Sequence, residues 1–280
     1  MTNTTAVLKR GTGKWTIFSE NTYSGGTTLT QGILALGGAR ALGTGSLTIT
    51  GGSLDAAAVV TLPALANIWG GSFTFVGSNA LDMSAGSVSL SVTPTVTVNG
   101  GSITAGNISD GSAGYGISKD GPGTLVLSGT NTYSGATTVL AGTLILNGPN
   151  ALPAGSALSI AVGATVILQN GAPIPSPSGG GVLAVSAGTP VTLGAGDTSA
   201  NSFATFSGTS TLTKVGTGTV TLVNTSSYTG KTWVQNGALS VASVNLLSGA
   251  SYTWSTLASG FSGDYGGVAD PAGNFYVVDG

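Results

Sequence analysis

The chain has 280 residues, of which 41% are hydrophobic, 6% are charged and 48 are glycine, and its formal net charge is −2. It contains neither cysteine nor histidine, which excludes disulfides, thiol catalysis and any mechanism that needs an imidazole base. The weak charge also argues against nucleic-acid binding. The sequence contains no run of about 18 apolar residues, which is the length that a helix needs to cross a membrane.

Three segments of the chain align with one another over 26 positions without a gap: 11–36, 121–146 and 216–241. The second segment matches the first at 12 positions and the third matches it at 9. Self-similarity of this kind predicts a stacked repeat architecture in which each unit contacts its neighbours.

Each copy begins with a glycine pair, which predicts a tight turn because glycine reaches positive φ without steric cost. A short apolar strand follows, then a turn that reads Asn-Thr-Tyr-Ser-Gly or Ser-Ser-Tyr-Thr-Gly, a second strand, a third glycine and an alternating strand. Each copy therefore predicts about one coil of a β-solenoid plus the start of the next. The repeated positions are Gly11, Gly13, Tyr23, Gly25 and Gly32, then Gly121, Gly123, Tyr133, Gly135 and Gly142, then Gly216, Gly218, Tyr228, Gly230 and Gly237.

The segments between the copies are long enough for several further coils. A lysine precedes each glycine pair (Lys9, Lys119 and Lys214), and successive lysines are too far apart in sequence to belong to neighbouring coils. Short alternating runs at 71–76, 87–92, 95–98 and 102–104 predict the strands of coils that lack the motif. We expect the three motif turns to occupy equivalent corners of the solenoid cross-section.

The sequence pattern of the copies resembles that of a known repeat family. Residues 119–146 read Lys-x-Gly-x-Gly-Thr-Leu-x-Leu, then Asn-Thr-Tyr-Ser-Gly, then Thr-x-Val-x-x-Gly-Thr-Leu. Residues 9–36 depart from this at Trp15 and Phe18, and residues 214–241 at Ser226-Ser227. The pattern is similar to the autotransporter-associated β-strand repeat, also called the passenger-associated transport repeat. The resemblance implies an all-β, right-handed parallel β-helix in a secreted or surface-displayed bacterial protein, and it implies no chemistry.

The chain divides into a predicted β-solenoid over residues 1–254 and a tail over residues 255–280. Within the tail, residues 267–279 resemble one blade motif of the NHL-type β-propeller family. One motif cannot close a propeller, so the tail is predicted to be either the start of a propeller or a terminal hairpin. Residues 1–9 have no apolar core of a secretory signal, and we interpret the chain as a piece of a longer protein.

Several acidic, basic and aromatic side chains could either carry chemistry or serve the scaffold. The acids of the solenoid are scattered and flank turns, which favours hydrogen bonding to their own backbone, although adjacent coils could still bring two carboxylates together as in glycosidases. The repeated lysines are interpreted as solvated residues at strand starts. The repeated tyrosines are expected to pack on the next coil with the hydroxyl bonded to backbone, the alternative being exposed platforms for sugars. The acids are Glu20, Asp55, Asp82, Asp110, Asp120 and Asp197.

The predicted function is a non-catalytic, adhesin-like structural module: a passenger or stalk segment located outside the cell or on the bacterial surface. The alternatives are a self-assembling extracellular fibre subunit and a carbohydrate-active β-helix enzyme. No catalytic residue, metal site or cofactor is expected. The expected partners are other copies of the chain, end to end, and a surface glycan or host matrix, with no nucleic acid and no membrane span.

Overall fold

The structure, a computed structural model, describes residues 3–18, 20–171, 173–175, 177–186, 188–194, 201–222, 227–228, 231–241, 266–269 and 275–278. These residues form strands and turns, and no helix occurs among them. The strands between residues 7 and 241 stack in parallel as a β-solenoid of about 10 turns, so the predicted all-β solenoid is confirmed.

The strands are short, as expected where glycine punctuates the chain every few residues. The first ten are β1 (Val7–Lys9), β2 (Lys14–Ile17), β3 (Thr27–Leu29), β4 (Ile33–Leu36), β5 (Leu47–Ile49), β6 (Ser53–Ala56), β7 (Val60–Thr61), β8 (Ala66–Trp69), β9 (Phe73–Phe75) and β10 (Leu81–Asp82). The next ten are β11 (Ser87–Leu90), β12 (Thr95–Val98), β13 (Ser102–Gly106), β14 (Ile108–Ser109), β15 (Ile117–Asp120), β16 (Thr124–Ser128), β17 (Thr137–Val139), β18 (Thr143–Asn147), β19 (Leu158–Ile160) and β20 (Thr165–Leu168). The last ten are β21 (Pro177–Val185), β22 (Val191–Leu193), β23 (Asn201–Gly208), β24 (Leu212–Lys214), β25 (Thr219–Leu222), β26 (Ser227–Tyr228), β27 (Thr232–Val234), β28 (Ala238–Val241), β29 (Gly266–Ala269) and β30 (Phe275–Val278).

The solenoid has three faces, each a parallel ladder of strands from successive coils. Face 1 begins as β1, β3, β5, β8, β11 and β14. Face 2 contains β2, β4, β6, β9, β12, β15, β17, β19 and the start of β21. Face 3 contains β7, β10, β13, β16, β18, β20 and the end of β21.

The same three-faced winding continues in the later coils. The three strands β22, β24 and β27 form one ladder, which Ile174 joins through a bridge to Leu193. In chain order this ladder takes the place of face 1, because Ile174 follows a face 3 strand and precedes a face 2 strand. The first half of β23 pairs with β25, which pairs with β28, while the end of β23 pairs with β21 and β26.

The core consists of aliphatic and aromatic side chains that stack in columns along the solenoid axis. One column runs Leu34, Leu54, Phe75 and Val98 on face 2. Another runs Leu125, Leu144, Val166 and Leu183 on face 3. All eight are fully buried. Because neighbouring parallel strands lie about 4.8 Å apart, each core side chain is covered by those above and below it, which is why a weakly charged chain can form this fold.

Each repeat copy closes one coil onto itself with the same register. Val7 pairs with Thr27, Ile117 with Thr137 and Leu212 with Thr232, so the separation in sequence is identical in the three copies. The following strands pair at a slightly shorter separation, as in Lys14 with Ile33. The same shorter offset joins Thr124 to Thr143 and Thr219 to Ala238. The copy therefore encodes one complete coil plus the start of the next, as its sequence predicted.

The three copies do not all occupy equivalent corners, and that expectation was wrong. The first copy turns from face 1 into face 2, whereas the second turns from face 2 into face 3, because β15 and β17 continue the ladder that holds β2 and β4. The third copy turns from the ladder of β22 back into the ladder that follows face 2. The stretch from Lys9 to Lys119 thus fills five coils and one further face.

The described part of the tail is one antiparallel pair, β29 with β30. Residues 255–265 and 270–274 lie outside the described residues, as do 279 and 280. Among the residues that the structure describes, no helix is long and apolar enough to span a membrane.

We predict that whole coils can be removed between the copies. Val88 pairs with Ile108, so residues 88–107 form one complete coil. Deleting 88–107 should leave a folded solenoid about 4.8 Å shorter, because every remaining strand meets the same face. Deleting only 88–97 removes half a coil and should disrupt folding, because the strands that follow would then be brought next to strands of a different face. Far-UV circular dichroism, thermal unfolding and small-angle scattering would measure both; equal tolerance of the two deletions would contradict the three-faced register.

Candidate functional site

The repeated lysines are fully buried, which corrects the interpretation that they are solvated. Lys9, Lys119 and Lys214 each have an exposure of 0%. The lysine is the last residue of β1 and of β24, and it is the penultimate residue of β15. Alternation in these strands points the lysine inward, where the aligned position of the next coil holds Leu29, Val139 or Val234.

Each buried ammonium is held by backbone carbonyl oxygens of two successive corners. Lys119 Nζ donates to the oxygens of Asp120, Gly121 and Ala141 at 2.9, 2.7 and 3.0 Å. Lys214 Nζ donates to Val215, to Gly216 at 2.9 Å and to Asn236 at 3.4 Å. An ammonium has three donors, so three carbonyls satisfy it fully. We call each lysine with its carbonyl oxygens a lysine cradle.

The first cradle replaces one carbonyl by an aromatic ring. Lys9 Nζ donates to Gly11 at 2.7 Å and to Gln31 at 2.9 Å, and it lies 5.4 Å from the centroid of the Trp15 ring. A cation above an aromatic face is attracted by the ring quadrupole. Trp15, at which this copy departs from the repeat pattern, therefore contributes a cation–π contact to the buried ammonium of Lys9. Trp15 lies in the first coil, and its side chain is 47% exposed.

Burial acts against the charge of the cradle lysine. Burial lowers the pKa of the Lys119 amine from 10.5 to about 8, and the nearby carboxylate of Asp120 partly opposes this shift. The amine is therefore still largely protonated at neutral pH, where its three carbonyl acceptors stabilise the charged form. A buried charge without such acceptors would cost several kcal/mol, so cradle and lysine depend on each other.

The glycines of the corner make the cradle possible for two different reasons. Gly11, Gly121 and Gly216 have φ of 83°, 78° and 72°, a region that side chains disfavour. Gly32, Gly142 and Gly237 also have positive φ, and a Cβ on them would lie 2.2, 2.2 and 2.3 Å from carbonyl oxygens of the preceding coil.

The remaining repeated glycines are needed for space and not for positive φ. Gly13 and Gly123 are outside the left-handed region. A Cβ on Gly123 would meet Val98 at 2.7 Å, whereas Gly13, in the first coil, has open space. A Cβ on Gly25 or Gly135 would approach the previous coil to 2.3 or 2.5 Å. Gly230 lies outside the described residues.

Two of the repeated tyrosines, Tyr23 and Tyr133, are buried between coils, as predicted, but the partner of their hydroxyl differs. Tyr133 is 1% exposed and Tyr23 is 8% exposed. The hydroxyls of Tyr133 and Thr137 are 2.6 Å apart, as are those of Tyr23 and Thr27. The main partner is thus the threonine that follows the turn, and only Tyr23 adds a contact to backbone, the Ala41 oxygen at 3.5 Å. The side chain of Tyr228 lies outside what the structure describes.

An asparagine at the start of the same turn fastens it to the next coil. Asn21 Nδ2 donates to the Ala41 oxygen at 2.9 Å, and Asn131 Nδ2 donates to the Ala151 oxygen at 2.7 Å. Asn131 Oδ1 also accepts the backbone amide of Ile108 from the preceding coil at 2.8 Å. The sequence showed the asparagine as a repeated residue, but its role required the stacking partner.

Three of the acids, Asp82, Asp110 and Asp120, bind backbone amides close to them in sequence, as expected, whereas Asp55 lies inside strand β6 and forms an ion pair. Asp110 accepts amides from Ser112, Gly114 and Tyr115 at 2.8–3.0 Å, together with the Ser134 hydroxyl at 2.5 Å. Asp55 is buried, pairs with Lys14 at 3.0 Å and accepts the amides of Ala56 and Ser78. Asp82 and Asp120 each accept one amide. Glu20 is exposed, and Asp197 lies outside the described residues.

Burial of Asp110 would raise its pKa, but its hydrogen bonds prevail. The Ser134 hydroxyl and the amides of Ser112 and Tyr115 lower the pKa of Asp110 from 3.8 to about 2. For Asp55, burial is again opposed, here by Lys14 and Ser78, and the pKa is lowered. Both carboxylates are therefore ionised anchors of loops, which is the opposite of the raised pKa that a general acid requires.

A shallow concavity of about 390 Å³ lies at the turn of the second copy, where Thr130, Asn131, Ser134 and Asn150 contribute to its wall. Among the described residues, no charged side chain lines it. Within the described ranges, no group of three potential metal ligands is present.

Comparison with known families agrees with the coil just described. A family model described as Passenger-associated-transport-repeat matches residues 7–36, 117–146 and 212–241. These segments begin at the first residues of β1, β15 and β24, so each match covers one closed coil with its cradle. The chain therefore has three segments that are similar to the passenger-associated transport repeat, on a parallel β-solenoid. No curated protein and no solved structure matches the chain significantly.

We predict that Lys119→Met lowers the free energy of unfolding by about 1–3 kcal/mol, because three buried carbonyl oxygens lose their donor. Denaturant unfolding followed by circular dichroism would measure the change. Lys231→Met is the control, since Lys231 is exposed and its loss should change stability by less than about 0.5 kcal/mol. Equal effects of the two substitutions would refute the structural role of the cradle.

We predict a graded loss of stability at Tyr133. Tyr133→Phe removes the hydroxyl group with its hydrogen bond to Thr137 and should cost about 1 kcal/mol. Tyr133→Ala also opens a cavity between coils and should cost about 3–5 kcal/mol. The same pair of substitutions at Tyr23, which has the same hydroxyl contact, serves as the matched comparison in thermal unfolding. An unchanged melting temperature with lost sugar binding would instead identify a ligand platform.

We predict that Asp110 makes stability depend on acid pH. Its folded-state pKa of about 2 lies below the ordinary value of 3.8, so the unfolded chain binds more protons between these values. The contribution of Asp110 is therefore complete above about pH 4 and is lost as the pH falls towards 2. Asp110→Asn should flatten this part of the curve of urea midpoint against pH; a parallel curve for the variant would show that other carboxylates carry the dependence.

Proposed function

We propose that this chain is a structural module of a passenger-type surface protein, a rod that holds attached segments away from the bacterial cell. At about 4.8 Å per coil, the solenoid of about 10 turns is roughly 50 Å long. The outward residues of its strands are mainly threonine, serine and other uncharged side chains. Such a surface is suited to exposure outside the cell and has only a weak electrostatic field. An adhesin-like contact with a surface glycan or host matrix would use these faces.

One observation supports this proposal most strongly: the residues that define the repeat are used up in contacts between coils. The lysine ammonium is enclosed by carbonyls, the tyrosine hydroxyl is bonded to threonine, and the glycines allow close approach of two corners. Residues that recur for the sake of a ligand would have to reach solvent. The lysine and tyrosine side chains lie at 0–8% exposure in the described copies, so their recurrence is explained by stacking.

The alternative of a carbohydrate-active enzyme can be tested directly. The full chain would be incubated with a panel of neutral and acidic polysaccharides, and new reducing ends and unsaturated products would be measured. We expect no turnover. Turnover that is abolished by Asp82→Asn or Asp110→Asn, with folding intact by circular dichroism, would overturn the structural proposal.

A second candidate function, the fibre subunit, is favoured by the first coil. In the described residues, β1 pairs with β3 and β2 with β4, each along one edge. Phe18 is 71% exposed in the same coil. Unpaired edges accept strands of another chain, and a head-to-tail contact that does not close produces filaments.

Light scattering and negative-stain microscopy of the full chain over a concentration series would test the fibre function. We expect growth in mass with concentration, reduced by the double substitution Trp15→Ser and Phe18→Ser. A stable monomer at high concentration would reject fibre formation and leave the rod proposal intact.

A further inference from the structure

The corner of the third copy brings a reactive dipeptide into an unusual arrangement. Asn236 precedes Gly237, and the Gly237 amide donates to Asn236 Oδ1 at 2.8 Å. The carbonyl oxygen of the same peptide unit accepts the Lys214 ammonium at 3.4 Å. Asn236 itself is exposed to water. In this peptide group, the nitrogen is hydrogen-bonded to the side chain of Asn236 and the oxygen is hydrogen-bonded to the buried ammonium of Lys214.

Both contacts favour attack of the Gly237 nitrogen on the Asn236 side chain. The hydrogen bond to Oδ1 places the side-chain carbonyl carbon, Cγ, beside the nitrogen. Removing the amide proton leaves negative charge that spreads to the carbonyl oxygen of Asn236, where the ammonium lies. A fixed donor at the place where charge develops lowers the barrier of a reaction. Glycine adds no Cβ that could obstruct the approach.

We propose that Asn236 is a spontaneous deamidation site, activated by the Lys214 cradle. The Gly237 nitrogen loses its proton and bonds to Cγ of Asn236; the bond from Cγ to Nδ2 breaks, and ammonia leaves with that proton. The resulting five-membered imide is then opened by water, which breaks either of its two carbon–nitrogen bonds. The product is aspartate or isoaspartate at position 236.

The second copy repeats this arrangement at a different dipeptide. The Gly121 amide donates to Asp120 Oδ1 at 2.8 Å, and Lys119 Nζ donates to the Asp120 oxygen at 2.9 Å. An acid in this place reacts less readily than an amide, because its ionised carboxylate resists attack. The arrangement of side chain, glycine amide and lysine thus recurs as a property of the cradle corner.

The other Asn–Gly pairs of the sequence lack both contacts. They are Asn99–Gly100, Asn147–Gly148 and Asn170–Gly171. In the described chain, none of their glycine amides donates to the preceding side chain, and no lysine reaches their carbonyl oxygens. Asn170 is the matched control, because residues 169–172 and 235–238 share the sequence Gln-Asn-Gly-Ala, while its Nδ2 is engaged with Asn147.

The modification would act on the fold at a tight place. Isoaspartate inserts one methylene into the main chain immediately before Gly237, where a Cβ would already lie 2.3 Å from the Gly218 oxygen. The inserted atom would displace the carbonyl that Lys214 binds and shift β28 against β25. Deamidation would therefore weaken the third copy and leave the first two, which have Gln31 and Ala141 at this position.

Peptide mapping by mass spectrometry tests the proposal on the folded full chain after incubation in mildly alkaline buffer. We expect Asn236 to convert about tenfold faster than Asn170, which corresponds to about 1.4 kcal/mol in the barrier. In denaturant the two rates should become equal, because the local sequences are identical. Equal rates in the folded chain, or a preference for Asn236 that persists in denaturant, would overturn the proposal.

Two substitutions separate the role of the lysine from that of the local sequence. Asp120→Asn places an amide in the second cradle corner and should create a second site that also reacts faster than Asn170. Lys214→Met should slow the reaction at Asn236 towards that of Asn170. If Lys214→Met does not fold, the Asp120→Asn result decides, and failure of that variant to react faster than Asn170 would refute activation by the cradle.

Discussion

A cation is buried between two coils at each repeat, and the corner of the solenoid is built around it. The ammonium must keep its hydrogen bonds when it leaves water, since an unpaired buried charge would cost several kcal/mol. Backbone carbonyls supply those bonds only if two corners turn their oxygens inward at the same level. Positive φ at Gly121 and close approach at Gly142 provide that geometry. The lysine therefore sets both the shape of the corner and the vertical register of two coils.

A second set of contacts, made by the tyrosine and asparagine of the repeat, also joins neighbouring coils. Tyr133 fills the space between coils with its ring and joins its hydroxyl to Thr137, and Asn131 links the coils above and below through its amide. These contacts use polar groups inside the stack and leave each of them satisfied, as buried polar groups generally are. One complete coil is thus specified locally, and the plainer coils between the copies continue its ladders.

The position of the second copy has a consequence for the surface of the rod. Because its corner is turned by one face relative to the first, the shallow concavity beside Tyr133 opens on the face where the first copy has strands β1 and β3. A ligand of the repeat turn would meet the second copy in a different direction from the first and the third. A set of identical binding turns is therefore less suited to this rod than a set of internal fasteners, in agreement with the structural role that we propose.

The sequence by itself determined the repeat, the glycine corners, the short strands and the burial of the tyrosines, because these depend on spacing, backbone freedom and local alternation. The strand runs at 87–92, 95–98 and 102–104 were predicted for the same reason, and β11, β12 and β13 confirm them. Only the tertiary structure decided the role of Lys119, since its carbonyl partners include Ala141, one coil further on. It also decided the face of each copy, because coils differ slightly in length, as the pairings of Val88 with Ile108 and of Thr97 with Asp120 show, and these differences accumulate along the chain.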